Sequence, residues 1–188
     1  PKTSEIDRVS YSNDTATALV KGALTGQRYF VGASHNKNYG YIAGGYPGNK
    51  SLVDRIDYSN DGVTASPKGY LSAGRYGPSG AGNNDYGWFV GARQPSQSIV
   101  DRIDYSNDTA TSLVRGPITS SHGYMGGTGN AHFGYFVGGY GGVGYTQVER
   151  IDYANDTAVC VTVSKKTSNG RNRIGATGTT SFGYYAGG

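Results

Sequence analysis

The chain has 188 residues and a formal net charge of +4, and it contains 32 glycines and 17 tyrosines. So much glycine disfavours an ordinary helical or α/β enzyme, because glycine costs about 1 kcal/mol relative to alanine inside a helix. No apolar run approaches the ~18 residues of a membrane helix, and the Lys and Arg residues are scattered, so neither membrane insertion nor a nucleic-acid partner is expected.

The first predicted element belongs to a repeated block. Residues 7–14 read Asp-Arg-Val-Ser-Tyr-Ser-Asn-Asp, and related octapeptides begin at Asp54, Asp101 and Glu149, at spacings of 47, 47 and 48 residues. A second block, aromatic-Gly-aromatic ending in a glycine pair or Gly-Ala, runs in step at 39–45, 86–92, 133–139 and 182–188. We therefore divide the chain into four repeat units, at about 4–50, 51–97, 98–146 and 147–188.

Each unit is predicted to contain four short strands. Strand one is the small-residue stretch exemplified by 77–82, strand two is the aromatic block, and strand three is the Asp-Arg-Ile-Asp-Tyr block. Strand four is predicted to begin directly after the Asn-Asp turn, as in 15–20. Aromatic and β-branched residues bounded by Gly, Asn and Asp are typical of strands, and the Asn and Asp side chains favour tight turns. No segment has helical spacing.

Four-stranded units at this period predict an all-β protein, a single β-propeller domain of four blades spanning 1–188. A lone unit cannot bury both faces of its sheet, whereas stacked blades cover one another. The chain begins just before strand three of a unit and ends just after strand two. We therefore expect strands from both termini to share one blade and close the ring.

The units resemble kelch repeats. The double glycine that ends strand two in that family is matched at 44–45, 138–139 and 187–188, and the tyrosine after strand three at Tyr11, Tyr58, Tyr105 and Tyr153. The strand-four tryptophan of the family is absent from all four units. The repeat is also similar to repeats in virion structural or tail proteins of aquatic tailed phages. That resemblance implies a virion-surface or extracellular location.

One set of candidate binding residues lies in the connection between strand four and strand one. These side chains are expected near the mouth of the central channel, where they can converge on an anion: Arg28, Arg75, His122 and Arg171. The alternative is that they cap strand ends and contact backbone carbonyls. In kelch-type propellers, arginines near this turn often take part in binding acidic partners.

The second set lies in the connection between strands two and three, which differs in sequence and length between units. Aromatic and amide side chains there suit stacking on sugar rings and hydrogen bonding to hydroxyls. The candidates are Tyr46, Gln94, Tyr140 and Tyr145. The alternative is an ordinary surface loop.

Other motifs are interpreted structurally. The Gly-x-Gly-x-x-Gly pattern at 139–144 precedes a predicted strand rather than the helix that a dinucleotide site requires. Three scattered histidines and one cysteine, Cys160, predict neither a metal site nor a disulfide. The recurrent Asp-Arg pairs are expected to brace neighbouring blades through charge-assisted bonds. We expect no cofactor.

The first hypothesis is a non-enzymatic β-propeller, part of a phage virion surface or tail fibre, that binds host glycans or other virion proteins and can form homo-oligomers. Two alternatives stay open. One is a carbohydrate-active enzyme on a kelch-type scaffold, and the other is a module that binds acidic peptides through the arginine ring.

Overall fold

The computed structural model describes residues 3–163 and 166–188, and it confirms the prediction of an all-β protein. Three antiparallel four-stranded sheets lie between two antiparallel two-stranded hairpins. The N-terminal hairpin consists of β1 (Glu5–Arg8) and β2 (Leu19–Ala23). The C-terminal hairpin consists of β15 (Gly175–Gly178) and β16 (Gly183–Ala186).

The three complete sheets each follow the order of the chain. The first sheet contains β3 (Gly32–His35), β4 (Tyr39–Ala43), β5 (Leu52–Asp57) and β6 (Ser66–Tyr70). The second contains β7 (Ser79–Gly82), β8 (Tyr86–Ala92), β9 (Gln97–Asp104) and β10 (Leu113–Arg115). The third contains β11 (Gly126–Gly129), β12 (Phe133–Val137), β13 (Val148–Asp152) and β14 (Val161–Thr162).

The turn between strands three and four is longer than predicted. The first such turn continues with the Ala16 amide donating to the Asn13 carbonyl oxygen at 3.3 Å, and β2 begins only at Leu19. The Asx chemistry itself is confirmed, because the Asp57 carboxylate accepts from the Ser59 amide at 2.9 Å. In the second and third sheets this segment forms a three-residue 3₁₀ turn, at Tyr105–Asn107 and Tyr153–Asn155. None of the helices in the described part of the chain is long and apolar enough to cross a bilayer.

Neighbouring sheets bury their apolar residues against each other. Between the first and second sheets the buried cluster is Tyr41, Ala43, Val53, Leu71, Phe89 and Ile103. Between the second and third sheets it is Ala81, Trp88, Val90, Val100, Ile118, Met125, Phe136, Ile151 and Cys160. The core therefore lies between sheets, as expected if each unit covers the next.

The small residues of strand one allow the sheets to approach closely. A Cβ added to Gly80 in β7 would overlap the carbonyl oxygen of Ala33 in β3, and one added to Gly127 in β11 would overlap that of Gly80. Successive first strands thus pack side by side, in the order β3, β7, β11 and β15.

The two terminal hairpins do not form the predicted shared sheet. β1 pairs with β2 and β15 with β16, and no ladder among the described residues joins β1 to β16. Each hairpin instead packs on its neighbour in the chain. The Gly22 amide of β2 donates to the Asp61 carbonyl oxygen at 2.8 Å, and β15 packs beside β11.

Candidate functional site

Arg28 and Arg75 are buried inside their own sheets. Arg28 Nη2 lies 2.8 Å from Asp54 Oδ2 and donates to the Ile42 carbonyl oxygen at 3.1 Å. The equivalent atom of Arg75 lies 2.9 Å from Asp101 Oδ2 and 3.1 Å from the Phe89 carbonyl oxygen. Burial lowers the pKa of both guanidinium groups, and the neighbouring carboxylates oppose that shift. Both arginines therefore connect strand one to strands two and three within one sheet.

In the third sheet, a histidine and a glutamate occupy the positions of this ion pair. His122 is fully buried, its Nδ1 lies 2.8 Å from the Ser120 carbonyl oxygen, and its ring stacks on Tyr145 at 4.5 Å. Glu149 is also fully buried and accepts a hydrogen bond from the Thr119 hydroxyl. Burial lowers the pKa of His122 and raises the pKa of Glu149, so both groups are shifted toward their neutral forms.

The predicted convergence of four cationic side chains on an anion is not found. Arg28, Arg75 and His122 are buried in three separate sheets, and Arg171, in the loop before β15, is half-buried. Arg28 and Arg75 contact backbone carbonyl oxygens, which is what the alternative interpretation expected of this set. Charge-assisted hydrogen bonds to Asp54 and Asp101 hold Arg28 and Arg75 inside their own sheets.

The Asp-Arg motif braces the sheets, as the repeat predicted. In the first sheet, Asp54 binds Arg28 and the adjacent Arg55 reaches the second sheet, where its Nη1 lies 2.7 Å from Asp108 Oδ2. Arg102 makes the same contact with Asp156 in the third sheet at 3.0 Å. Alternating side chains on one strand thus serve the sheet's own interior and the neighbouring sheet.

Replacing Glu149 with glutamine should stabilise the protein. The folded state binds the Glu149 proton more tightly than the unfolded chain, so its contribution to the free energy of unfolding falls as pH rises above the ordinary value of 4.5. Glu149→Gln removes this dependence and should gain about 1 kcal/mol at neutral pH. Denaturant unfolding at about pH 4.5 and about pH 8 measures it, and the advantage should grow with pH. The matched variant Asp101→Asn, opposite Arg75, should destabilise.

A cavity of about 460 Å³ brings together two of the predicted loop residues. It is lined by Tyr29, Phe30, Tyr46, Gly48, Asn49, Tyr76 and Gln94. The hydroxyl of Tyr76 donates to Gln94 Oε1 at 2.8 Å, which positions an amide beside an aromatic ring. Tyr46 and Gln94 come from equivalent connections between strands two and three in successive units, so this cavity joins the first and second sheets.

The walls of the cavity are mostly aromatic. The Tyr46 ring lies 5.4 Å from Tyr29 and 5.6 Å from Tyr76, centroid to centroid. Phe30 stacks on Tyr76 at 5.9 Å and packs against Tyr124 at 4.9 Å. Asn49 and Gln94 add amide groups, so the cavity offers apolar faces with a few polar groups at its rim.

One position of the repeat brings residues of all four units together beside this cavity. Phe30, Gly77, Tyr124 and Arg173 occupy equivalent positions, and all four have positive φ, from 56° to 73°. The Gly77 amide donates to the Phe30 carbonyl oxygen, Tyr124 to Gly77, and Arg173 to Tyr124, each at 2.8 Å. This series of bonds gathers four units at one end of the molecule. The Arg173 guanidinium lies 5.7 Å from the Phe30 ring and 5.3 Å from the Tyr124 ring.

The other two predicted loop residues lie elsewhere. Tyr140 donates its amide to the Gly123 carbonyl oxygen at 2.8 Å, and the Arg93 guanidinium lies 5.1 Å from its ring. Tyr145 is occupied by stacking on His122. Sequence reasoning missed Tyr29, Phe30 and Tyr76, although they follow Arg28 or Arg75 within two residues, just before strand one. Their place next to the recurring arginine was the sequence signal that could have identified them.

The described residues offer little for metal or thiol chemistry. Among them, no three His, Cys, Asp or Glu side chains are grouped so as to hold a metal ion. Cys160 is buried in the core between the second and third sheets, and burial raises the pKa of its thiol to about 12. A thiol with so high a pKa is a poor nucleophile at neutral pH.

No protein-family model and no curated protein sequence matches the chain. The functional interpretation therefore depends on the geometry of the repeat and of the aromatic cavity.

Proposed function

We propose that the chain is a non-enzymatic β-propeller of the kelch type that binds carbohydrate in the cavity between Tyr29, Tyr46 and Tyr76. The observation that carries the proposal is the combination of four aromatic rings with the amides of Asn49 and Gln94 in one cavity of about 460 Å³. Sugar rings present apolar C–H faces that pack on aromatic rings, and their hydroxyls bond to amides. Tyrosine is well suited to this role because it loses little side-chain entropy on binding.

The propeller part of the proposal is supported by the packing of equivalent sheets. Three sheets with the same strand order bury apolar cores between them, and equivalent backbone positions gather at one end. A virion surface or tail fibre is the setting we propose, with host surface glycans as the ligands. This setting is supported only by the sequence resemblance to phage repeats.

The two alternative functions have less support. An acidic peptide would need accessible arginines, and Arg28 and Arg75 are buried against carboxylates. A carbohydrate-active enzyme would need a reactive side chain at the ligand, and the cavity is lined by aromatic rings, Gly48 and the amides of Asn49 and Gln94.

Carbohydrate binding is tested with an array of bacterial surface oligosaccharides and polysaccharides, followed by titration calorimetry with each glycan that binds. Tyr76→Ala should raise the Kd at least tenfold, because it removes a stacking face worth about 1.4 kcal/mol or more. Tyr76→Phe keeps the ring but frees Gln94, so it should have a smaller effect. Tyr184→Ala, at an exposed tyrosine of β16, is the matched control and should leave the Kd unchanged. Silence across the array, or equal affinity for the Tyr76→Ala and control variants, would contradict the proposal.

A further inference from the structure

The end of the molecule that holds the aromatic cavity has no acidic residue in its connecting segments. Strands one and two are antiparallel, so the segments before strand one and after strand two lie at the same end, bridged for example by Tyr29 and Tyr46. We call this the aromatic end. The segments that form it are 24–31, 71–78, 116–125 and 166–174 before strand one, and 44–51, 93–96 and 138–147 after strand two. None of them contains Asp or Glu.

The same segments carry several cationic side chains that are exposed or half-buried. None of these side chains takes part in the ion pairs found among the described residues. The carboxylates of strand three in the complete sheets are buried, and two of them are already bound to Arg28 and Arg75. The accessible cations of the aromatic end are Lys50, Arg93, Lys166, Arg171 and Arg173.

The opposite end has the reverse charge. It is formed by the turns between strands one and two and between strands three and four. Lys37 is the one Lys or Arg in the sequence of these turns. Their acidic residues are Asp14, Asp61, Asp85, Asp108 and Asp156. The charge is therefore divided between the two ends, and the field at the aromatic end attracts anions.

Arg173 is the accessible cation that contacts the aromatic rings beside the cavity. Its guanidinium lies over Phe30 and Tyr124. Phe30 lines the aromatic cavity and also a smaller cavity of about 170 Å³, which Arg173 lines as well. The Tyr124 ring lies 6.2 Å from the ring of Tyr76, a wall of the aromatic cavity. One ring thus separates the cation from the space in which a sugar would stack.

The chemistry of a stacked guanidinium indicates the group that it would bind. Arginine packs the face of its planar group on aromatic rings and keeps N–H donors at its edge. A carboxylate fits that edge through two parallel, charge-assisted hydrogen bonds. Arg173 is exposed and has no carboxylate partner among the described residues, so a ligand carboxylate can reach it.

We propose that the carbohydrate bound at the aromatic end is acidic, and that Arg173 binds the carboxylate of the sugar unit lying over Phe30. This inference rests on the proposed carbohydrate binding and adds the class of sugar. The aromatic rings then take the apolar face of the sugar, and the amides of Asn49 and Gln94 take its hydroxyls.

Two other polyanions carry the same charge. Single-stranded nucleic acid needs a basic groove along which successive bases stack on successive rings. Here the rings of Tyr29, Phe30, Tyr46 and Tyr76 surround one cavity with amides in its wall. An acidic peptide would make no use of those rings. The aromatic cavity therefore favours a sugar as the carrier of the carboxylate.

Glycans with and without their carboxylates test this inference. Oligogalacturonate, hyaluronan oligosaccharides and oligosialic acid are each titrated beside their carboxyl-reduced forms. Wild type should bind at least one acidic form at least tenfold more tightly than its reduced form, and added salt should diminish that preference.

Three variants assign the preference to Arg173. Arg173→Gln should remove most of the preference and leave the Kd of the reduced form unchanged. Arg173→Lys keeps the charge without the planar pair of donors, so its preference should be intermediate. Lys37→Gln removes one positive charge at the opposite end and should change neither Kd. Melting curves of all three variants should match wild type.

Equal affinity for the acidic and reduced forms of every glycan that binds would overturn this inference and leave carbohydrate binding intact. Full preference in Arg173→Gln would do the same. Tighter binding of single-stranded oligothymidylate or of a polyglutamate peptide than of any acidic glycan would also overturn it. Failure of the proposed function is distinct, since then no glycan binds in either form or Tyr76→Ala leaves every Kd unchanged.

Discussion

Replacing Arg75 with methionine should lower the free energy of unfolding by about 3–5 kcal/mol, because it leaves a buried carboxylate without its counter-ion. Arg75 and Asp101 are both completely buried, and their closest N and O atoms are 2.9 Å apart. In the variant, Asp101 Oδ2 keeps only the Ser72 amide, at 3.1 Å. Urea unfolding followed by circular dichroism measures the loss.

The repeat supplies the control for this variant. Arg171→Met changes the same repeat position in the C-terminal unit, where the arginine has no ion pair among the described residues. It should change stability by less than about 0.5 kcal/mol. The double variant Arg75→Met/Asp101→Leu should recover much of the loss, since it removes both charges. Equal losses for Arg75→Met and Arg171→Met would contradict the assigned pairing.

Replacing Trp88 with alanine should cost about 3–5 kcal/mol by leaving a large cavity between the second and third sheets. Trp88 is completely buried and stacks on Tyr153 with a centroid distance of 3.8 Å. Its Nε1 donates to Asp156 Oδ2 at 2.9 Å, so the variant also loses a hydrogen bond to a carboxylate. Urea unfolding followed by circular dichroism is again the measurement, because the variant lacks the only tryptophan.

Two substitutions at equivalent repeat positions separate packing from chain position. Trp88→Tyr recreates the arrangement of Tyr41, which stacks on Tyr105 and donates to Asp108 at 3.1 Å, and should cost only about 1 kcal/mol. Tyr184→Ala, at a side chain that is 58% exposed, should be close to neutral. A loss at Tyr184 as large as that at Trp88 would show that the terminal hairpin is covered within a single chain.

The local features of the chain could be predicted well. The order of the four strands in each unit follows from the period of the repeat, and the Asx turns follow from side chains that bond their own backbone. The bracing role of Arg55 was also predictable, because a pair that recurs in every unit must serve something that every unit shares. The start of strand four was less predictable, because the turn continues through Ala16 by backbone bonds that leave no mark in residue type.

The candidate site was predicted only in part. Tyr46 and Gln94 were predicted because their loops differ between units. Tyr29 and Tyr76 were missed because the binding role was assigned to the arginines that precede them. Arg28 and Arg75 were assigned to a channel, and the structure buries them against carboxylates. Which way a long side chain turns depends on partners 26 residues away, and sequence spacing does not reveal that choice.

The sequence by itself determined the all-β class, the four units and the residues that bond to their near neighbours, because periodicity and turn chemistry act over a few residues. The tertiary structure alone decided which charges are paired in the core, which aromatic rings share a cavity, and that β1 and β16 form no ladder with each other. Those outcomes depend on how closely whole sheets pack, and that distance is set by many contacts at once.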